Sequence, residues 1–154
     1  MRILGFLIVI IFITSCDKFS FSKTDNKQAL DTIVDFSSVD TFPSFAGCNS
    51  IIDKSKKETC FRTTIHQQIG EELKEHTFII KDSINEIVYV DLIINSKGKF
   101  QFVAIDSSEK IKNNLPKLDS LLKASIKKLP EIYPAIKRGI PVTTKYRLPI
   151  RIKI

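Results

Sequence analysis

The chain has 154 residues, of which 43% are hydrophobic and 27% charged, with a formal net charge of +7. That length accommodates one domain with a single core. The balance of apolar and charged residues excludes a disordered polar chain, and the lysine excess is expected to form a solvated basic surface beside phospholipid.

The N-terminus carries an address. Arg2 gives a short positive start, and Ile3 to Ile13 form an apolar run broken by Gly5. A membrane-spanning helix needs about twenty apolar residues, so the run is short for a span but has the length of a signal-peptide core. Ile13-Thr14-Ser15-Cys16 resembles the lipobox of bacterial lipoproteins. The resemblance implies a signal peptide over residues 1–15, cleavage before Cys16, and acyl chains on Cys16 as the lipid anchor. It also implies a cell-envelope location, on the inner or outer membrane, with the domain in the periplasm and no nucleic acid as partner. Residues 16–38 are expected to be a lipid-anchored tether that ends in a short strand near Thr32–Ser37, and residues 39–154 to be the domain.

Cysteine usage fits export. With Cys16 assigned to lipid, Cys48 and Cys60 remain as one pair. A disulfide between them is the expected state in an oxidising compartment, with two free buried thiols or a metal as the alternatives. Two cysteines without nearby partner ligands make a poor zinc site. A bridge over so short a loop is worth about 3 kcal/mol in chain-entropy terms.

Phe42 to Cys48 reads as extended and turn-prone, punctuated by Pro43 and Gly47. A helix is expected from about Lys57 to Glu75, where Phe61, Ile65, Ile69 and Leu73 make one apolar stripe. Ile84 to Ile105 reads as a hairpin. Val88, Val90, Leu92 and Ile94 alternate onto one face, Asn95-Ser96-Lys97-Gly98 makes the turn, and Phe100, Phe102 and Ala104 lie on the returning strand. Ile87 and Ile93 keep the opposite face from being fully wet. A second helix is expected from about Pro116 to Leu129, with Pro116 in its first turn and Leu118, Leu121, Leu122, Ser125, Ile126 and Leu129 inward. Pro130 ends it, and Pro134 and Gly139 predict an irregular segment. In the last strand Val142, Thr144, Tyr146, Leu148, Ile150, Ile152 and Ile154 share one face. Thr143, Lys145, Arg147, Pro149, Arg151 and Lys153 share the other. A one-residue slip would bury every cation, so the register is strongly specified. Pro149 cannot donate a ladder bond, which points to an edge strand or a bulge.

Motifs for chemistry are absent. The chain has no Gly-rich phosphate loop, HExxH, CxxC or GxSxG. His66 and His76 point about 80° apart on a helix, so they make no ready metal pair. Glu71, Glu72 and Glu75 read as a solvated helix face. No catalytic residue, metal or cofactor is expected.

The order helix, hairpin, helix, final strand carries VDTFPSFAGC, ETCF, VYVDLIINSKGKF, LPKLDSLLKASIKKLPEIYPAIKRGIPV and YRLPIRIKI. In this it resembles the C-terminal domain of TonB, in particular a branch common in Bacteroidetes, over about Val39 to Ile154. The resemblance implies an α+β fold, an antiparallel sheet of three or four strands with two helices packed on one face. It implies a non-enzymatic domain that binds partners by adding a strand beside its last one. The implied edge is Val142, Thr143, Thr144, Lys145, Tyr146, Arg147, Leu148 and Arg151, with Lys145, Arg147 and Arg151 drawing acidic residues. The implied partner is an envelope protein such as a TonB-dependent outer-membrane receptor. Two alternatives stand beside it: a structural lipoprotein whose domain self-associates as a homodimer through the same edge, and an energy transducer with an atypical anchor. A tether of about twenty residues reaches roughly 70 Å fully extended, and the tyrosine-proline pair that many TonB domains carry before the first helix has no counterpart here.

Overall fold

The protein is described by a computed structural model over residues 33–78 and 83–154. The expected signal peptide, Cys16 and most of the expected tether lie outside the described residues. Strands β1 (Val34–Asp35), β2 (Asn85–Ile94), β3 (Phe100–Asp106) and β6 (Thr144–Lys153) form one sheet, in the order β1-β6-β2-β3. Strands β4 (Ala135–Lys137) and β5 (Ile140–Val142) make a separate two-stranded hairpin. The helices are α1 (Lys54–Lys74), α2 (Glu109–Asn114) and α3 (Leu118–Lys128). The fold is therefore α+β as expected, with two corrections. The four-stranded sheet is mixed rather than antiparallel, because β1 runs parallel to β6. A third helix, α2, follows β3.

Local chemistry explains most boundaries. Asp53 caps α1 by accepting from the Lys56 N–H at 2.8 Å, which starts the helix ahead of its apolar stripe. Phe61, Ile65 and Ile69 of that stripe are buried and Leu73 is half-buried. Ser108 caps α2 through the Ile111 N–H at 3.2 Å, and Ile111 is the buried residue that fixes this short helix to the core. Pro116 stands in the turn just before α3 rather than within it, and Leu118, Leu122, Ser125 and Ile126 are its buried side.

The β2–β3 turn is built as the sequence predicts. The Asn95 side chain accepts from the Lys97 and Lys99 N–H groups at 2.9 and 3.0 Å, and Gly98 takes φ +78°. The segment after α3, expected to be irregular, is instead the β4–β5 hairpin. Its turn puts both Arg138 (φ 52°) and Gly139 (φ 76°) in the left-handed region, as tight two-residue turns require. The Arg138 N–H donates to Asp40 Oδ2 at 2.6 Å, a support 98 residues away in sequence.

One face of the sheet carries the core. Val88, Val90, Leu92 and Ile94 of β2 and Tyr146, Leu148, Ile150 and Ile152 of β6 are buried, in one cluster with the apolar sides of α1 and α3. The opposite face is open to solvent: Ile87, Tyr89 and Val103 are exposed and Ile93 half-buried. Phe36 stacks on Phe42 (4.9 Å between ring centres) and packs at 4.7 Å against Tyr146. The folded unit thus begins within the expected tether, since β1 and buried Phe36 belong to it. The Cys48–Cys60 disulfide is present, with Cα atoms 5.9 Å apart, and it joins the extended stretch to α1.

Candidate functional site: the outer edge of the last strand

The β6 strand pairs with β2 along its whole length, from Ile94↔Thr144 to Asn85↔Lys153. Alternation then decides which backbone groups face the other way. The Ile154 and Ile84 backbones exchange hydrogen bonds at 3.0 and 3.1 Å on the β2 side, while the Thr143 carbonyl accepts from the Val34 N–H at 2.8 Å on the far side. Even-numbered residues of β6 therefore serve β2, and Lys145, Arg147, Pro149, Arg151 and Lys153 turn their backbones outward.

The β1 strand covers this outer edge only at Thr144 and Lys145. Beyond Asp35 the chain turns into a 3-10 helix at Phe36–Ser38, and no strand lies beside the remainder of the edge among the described residues. That departure is fixed locally. The Asp35 carboxylate accepts from the Ser37 N–H (2.9 Å) and hydroxyl (2.8 Å), and these bonds hold its carboxyl below the ordinary range.

Pro149 falls on an outward position, so its missing N–H costs the sheet nothing. Its carbonyl is taken by a residue that sequence reasoning placed on the surface. His66 on α1 is exposed, yet its Nε2 lies 2.7 Å from the Pro149 oxygen and its Nδ1 2.6 Å from the Arg62 oxygen. A neutral imidazole donates to one of these carbonyls at a time, and the doubly protonated ring donates to both. No local signal marks the contact, because the partners are 83 residues apart in sequence.

The expected site residues divide. Val142 ends β5 and Thr143 links the hairpin to β6, so these two stand outside the last strand. Thr143 Oγ1 accepts from the Ser96 N–H at 3.2 Å. Thr144, Tyr146 and Leu148 point into the core. The Tyr146 ring meets Phe61 edge-on at 5.2 Å, and its hydroxyl has no hydrogen-bond partner among the described residues. Burial pushes the phenol above its ordinary value of 10.0, against the opposing pull of Arg62.

The cations differ too. Arg147 is committed within its own sheet, to Asp106, to Asp91 at 3.7 Å and to the face of the Tyr89 ring at 4.7 Å. Lys145 and Arg151 are exposed and make no ion pair among the described residues. A groove of about 310 Å³ adjoins the far end of the edge, lined by residues that include Leu73, Phe78, Ile150 and Ile152, with Arg151 and Lys153 also contributing.

Among the described residues no group of three His, Cys, Asp or Glu side chains is placed to hold a metal, and no helix is long and apolar enough to cross a membrane. Comparison of the chain with family models, with curated proteins and with solved structures returned no match.

Proposed function

We propose that the protein is a non-enzymatic, lipid-anchored binding module of the cell envelope, moored through Cys16. Its TonB-like domain takes an extended segment of an envelope protein, of the TonB-dependent receptor class, along the outer edge of β6. The observation that carries this reading is the row of outward backbone groups at Arg147, Arg151 and Lys153, with no strand beside them among the described residues. Such groups gain most by pairing with another backbone, which supplies affinity, while side-chain pockets supply choice of partner. Lys145 and Arg151 favour acidic residues in that segment, and the groove beside Ile150 and Ile152 favours apolar ones. At Pro149 the incoming strand meets no donor and an occupied carbonyl, so it pairs in two short runs or displaces His66.

A photo-crosslinking residue at position 151, introduced in the full chain in intact cells, tests the edge. The expected product is a conjugate with a receptor, reduced by Lys145→Glu. A lone homodimer band, or a conjugate unaffected by that charge reversal, overturns the edge assignment. In the same cells Cys16→Ser is expected to move the protein from the membrane to the soluble fraction, and persistence in the membrane overturns the lipid anchor.

A further inference from the structure

The sheet has a second edge. The β3 strand lies at the opposite side of the sheet order, with no strand beyond it among the described residues. From Phe100 to Ile105 it carries no charge and no proline. Gln101 and Ala104 are exposed, and Val103 is 47% exposed. The pairs Ile93↔Gln101, Asp91↔Ala104 and Tyr89↔Asp106 continue the Asn95–Lys99 hydrogen bond, so these β3 residues turn their backbones toward β2. Phe100, Phe102 and Ile105 then turn theirs outward. The register shift at Asp91/Leu92 leaves Val103 as the extra residue at the middle of the edge. A groove of about 330 Å³ runs beside it, lined by residues that include Ile105, Ile111, Leu115 and Leu118.

We propose that this edge is a homodimer interface, in which β3 pairs antiparallel with β3 of a second copy and joins the two sheets into one. Charge complementarity selects a second copy as the occupant. Lys99 and Asp106 bracket the uncharged run; both are exposed, and each already has a surface ion pair within the chain, Lys99 with Glu131 at 3.9 Å and Asp106 with Arg147, weak enough to be shared with an opposite charge across the two-fold axis. With the two-fold axis between Phe102 and Val103, Lys99 falls opposite Asp106 of the partner subunit, and the reverse holds at the other end. The same register sets Phe100 opposite Ile105 of the partner subunit. Both have outward backbone groups, so each such pair exchanges two hydrogen bonds, and the apolar side chains meet over the groove. A contact made by the same patch on both copies closes at two and leaves no free β3 edge to recruit further chains.

The test is sedimentation equilibrium of the full chain in density-matched detergent. The expected result is a reversible dimer. Val103→Lys weakens it at least about tenfold without lowering the thermal midpoint, since the replaced side chain is half in solvent. Lys99→Glu and Asp106→Lys each weaken the dimer as well, and an equal mixture of the two variants re-associates, because the mixed pair restores attraction at both ends. A wild-type monomer throughout the accessible range overturns the proposal, as does a dimer indifferent to Val103→Lys or a mixture no tighter than its parts. Association weakened by Arg151→Glu but not by Val103→Lys assigns self-association to β6 instead. No receptor is present in this measurement, so its outcome stands apart from that of the crosslinking experiment.

Discussion

The two edges of the sheet are built on opposite principles. The β6 edge is guarded at several points: β1 covers Thr144 and Lys145, Pro149 removes a donor, His66 occupies a carbonyl, and Lys145, Arg151 and Lys153 stand exposed. Charge, proline and a covering segment are the devices that protect a strand edge from indiscriminate pairing. The β3 edge has one device, the bulge at Val103, and a run of uncharged residues. A guarded edge suits selective, reversible engagement of a partner. A bare one suits pairing with an identical edge. The two proposed contacts, partner binding at β6 and self-association at β3, need not compete, because they would use opposite edges of one sheet.

The largest expected effect comes from unplugging the guard on β6. Phe36 holds β1 in place by packing against Phe42, Phe61 and Tyr146. Phe36→Ala is expected to cost about 3–5 kcal/mol in urea unfolding, with faster hydrogen exchange at the Val34 amide. A loss below about 1 kcal/mol with unchanged exchange shows that β1 is held by something other than this ring.

The next effect strikes the β3 side. A Cβ at Gly98 meets the Ile132 carbonyl oxygen at 1.7 Å, and the residue has φ +78°. The Gly98 carbonyl also accepts from the Ile132 N–H at 3.1 Å, so the approach is backbone to backbone and no side chain can yield. Gly98→Ala is expected to cost roughly 2–3 kcal/mol and to weaken any dimer through β3 more than crosslinking from position 151. Equal loss at both edges means that the turn supports the whole sheet rather than β3.

The smallest effect comes from Tyr146, which lies beneath the β6 edge. Its folded pKa is raised, chiefly by burial, while the unfolded chain titrates at the ordinary 10.0. Above that pH the unfolded chain has released the phenolic proton and the folded chain retains it. Stability is therefore fully present below pH 10.0 and falls as pH rises toward the raised folded value. Tyr146→Phe is expected to change stability by less than about 1 kcal/mol at neutral pH, since the lost hydroxyl has no partner among the described residues. It should also flatten the alkaline decline seen in unfolding titrations. An unchanged slope assigns the decline to other groups, such as exposed Lys128, whose pKa is raised by its hydrogen bond to Glu72.

Much of the fold was legible in the chain. The i, i+4 stripe of Phe61, Ile65 and Ile69 located α1, the Asn95–Gly98 turn located the β2–β3 hairpin, and strict alternation after Thr143 set which side chains of β6 enter the core. The β4–β5 hairpin was missed because its strands have three residues each, too few for a periodic signal, and because Arg138 needs Asp40 to support a positive φ. Helix α2 was missed because one buried residue, Ile111, makes no stripe. At the candidate site, Pro149 announced an edge position, but nothing near His66 announced its contact with Pro149.

The sequence by itself determined the long elements, the facing of most of their side chains and Cys48–Cys60 as the expected pair, since periodicity, turn chemistry and spacing are properties of neighbours along a chain. Tertiary structure alone decided which strand lies beside which. Phe36 reaches back to Tyr146, β1 closes one end of β6 in a parallel pairing, and β3 is left bare. Edge status is largely a long-range property: Pro149 marked β6, but which segments return to a strand's open side is decided elsewhere in the chain, and nothing in β3's own residues recorded that it would be left bare.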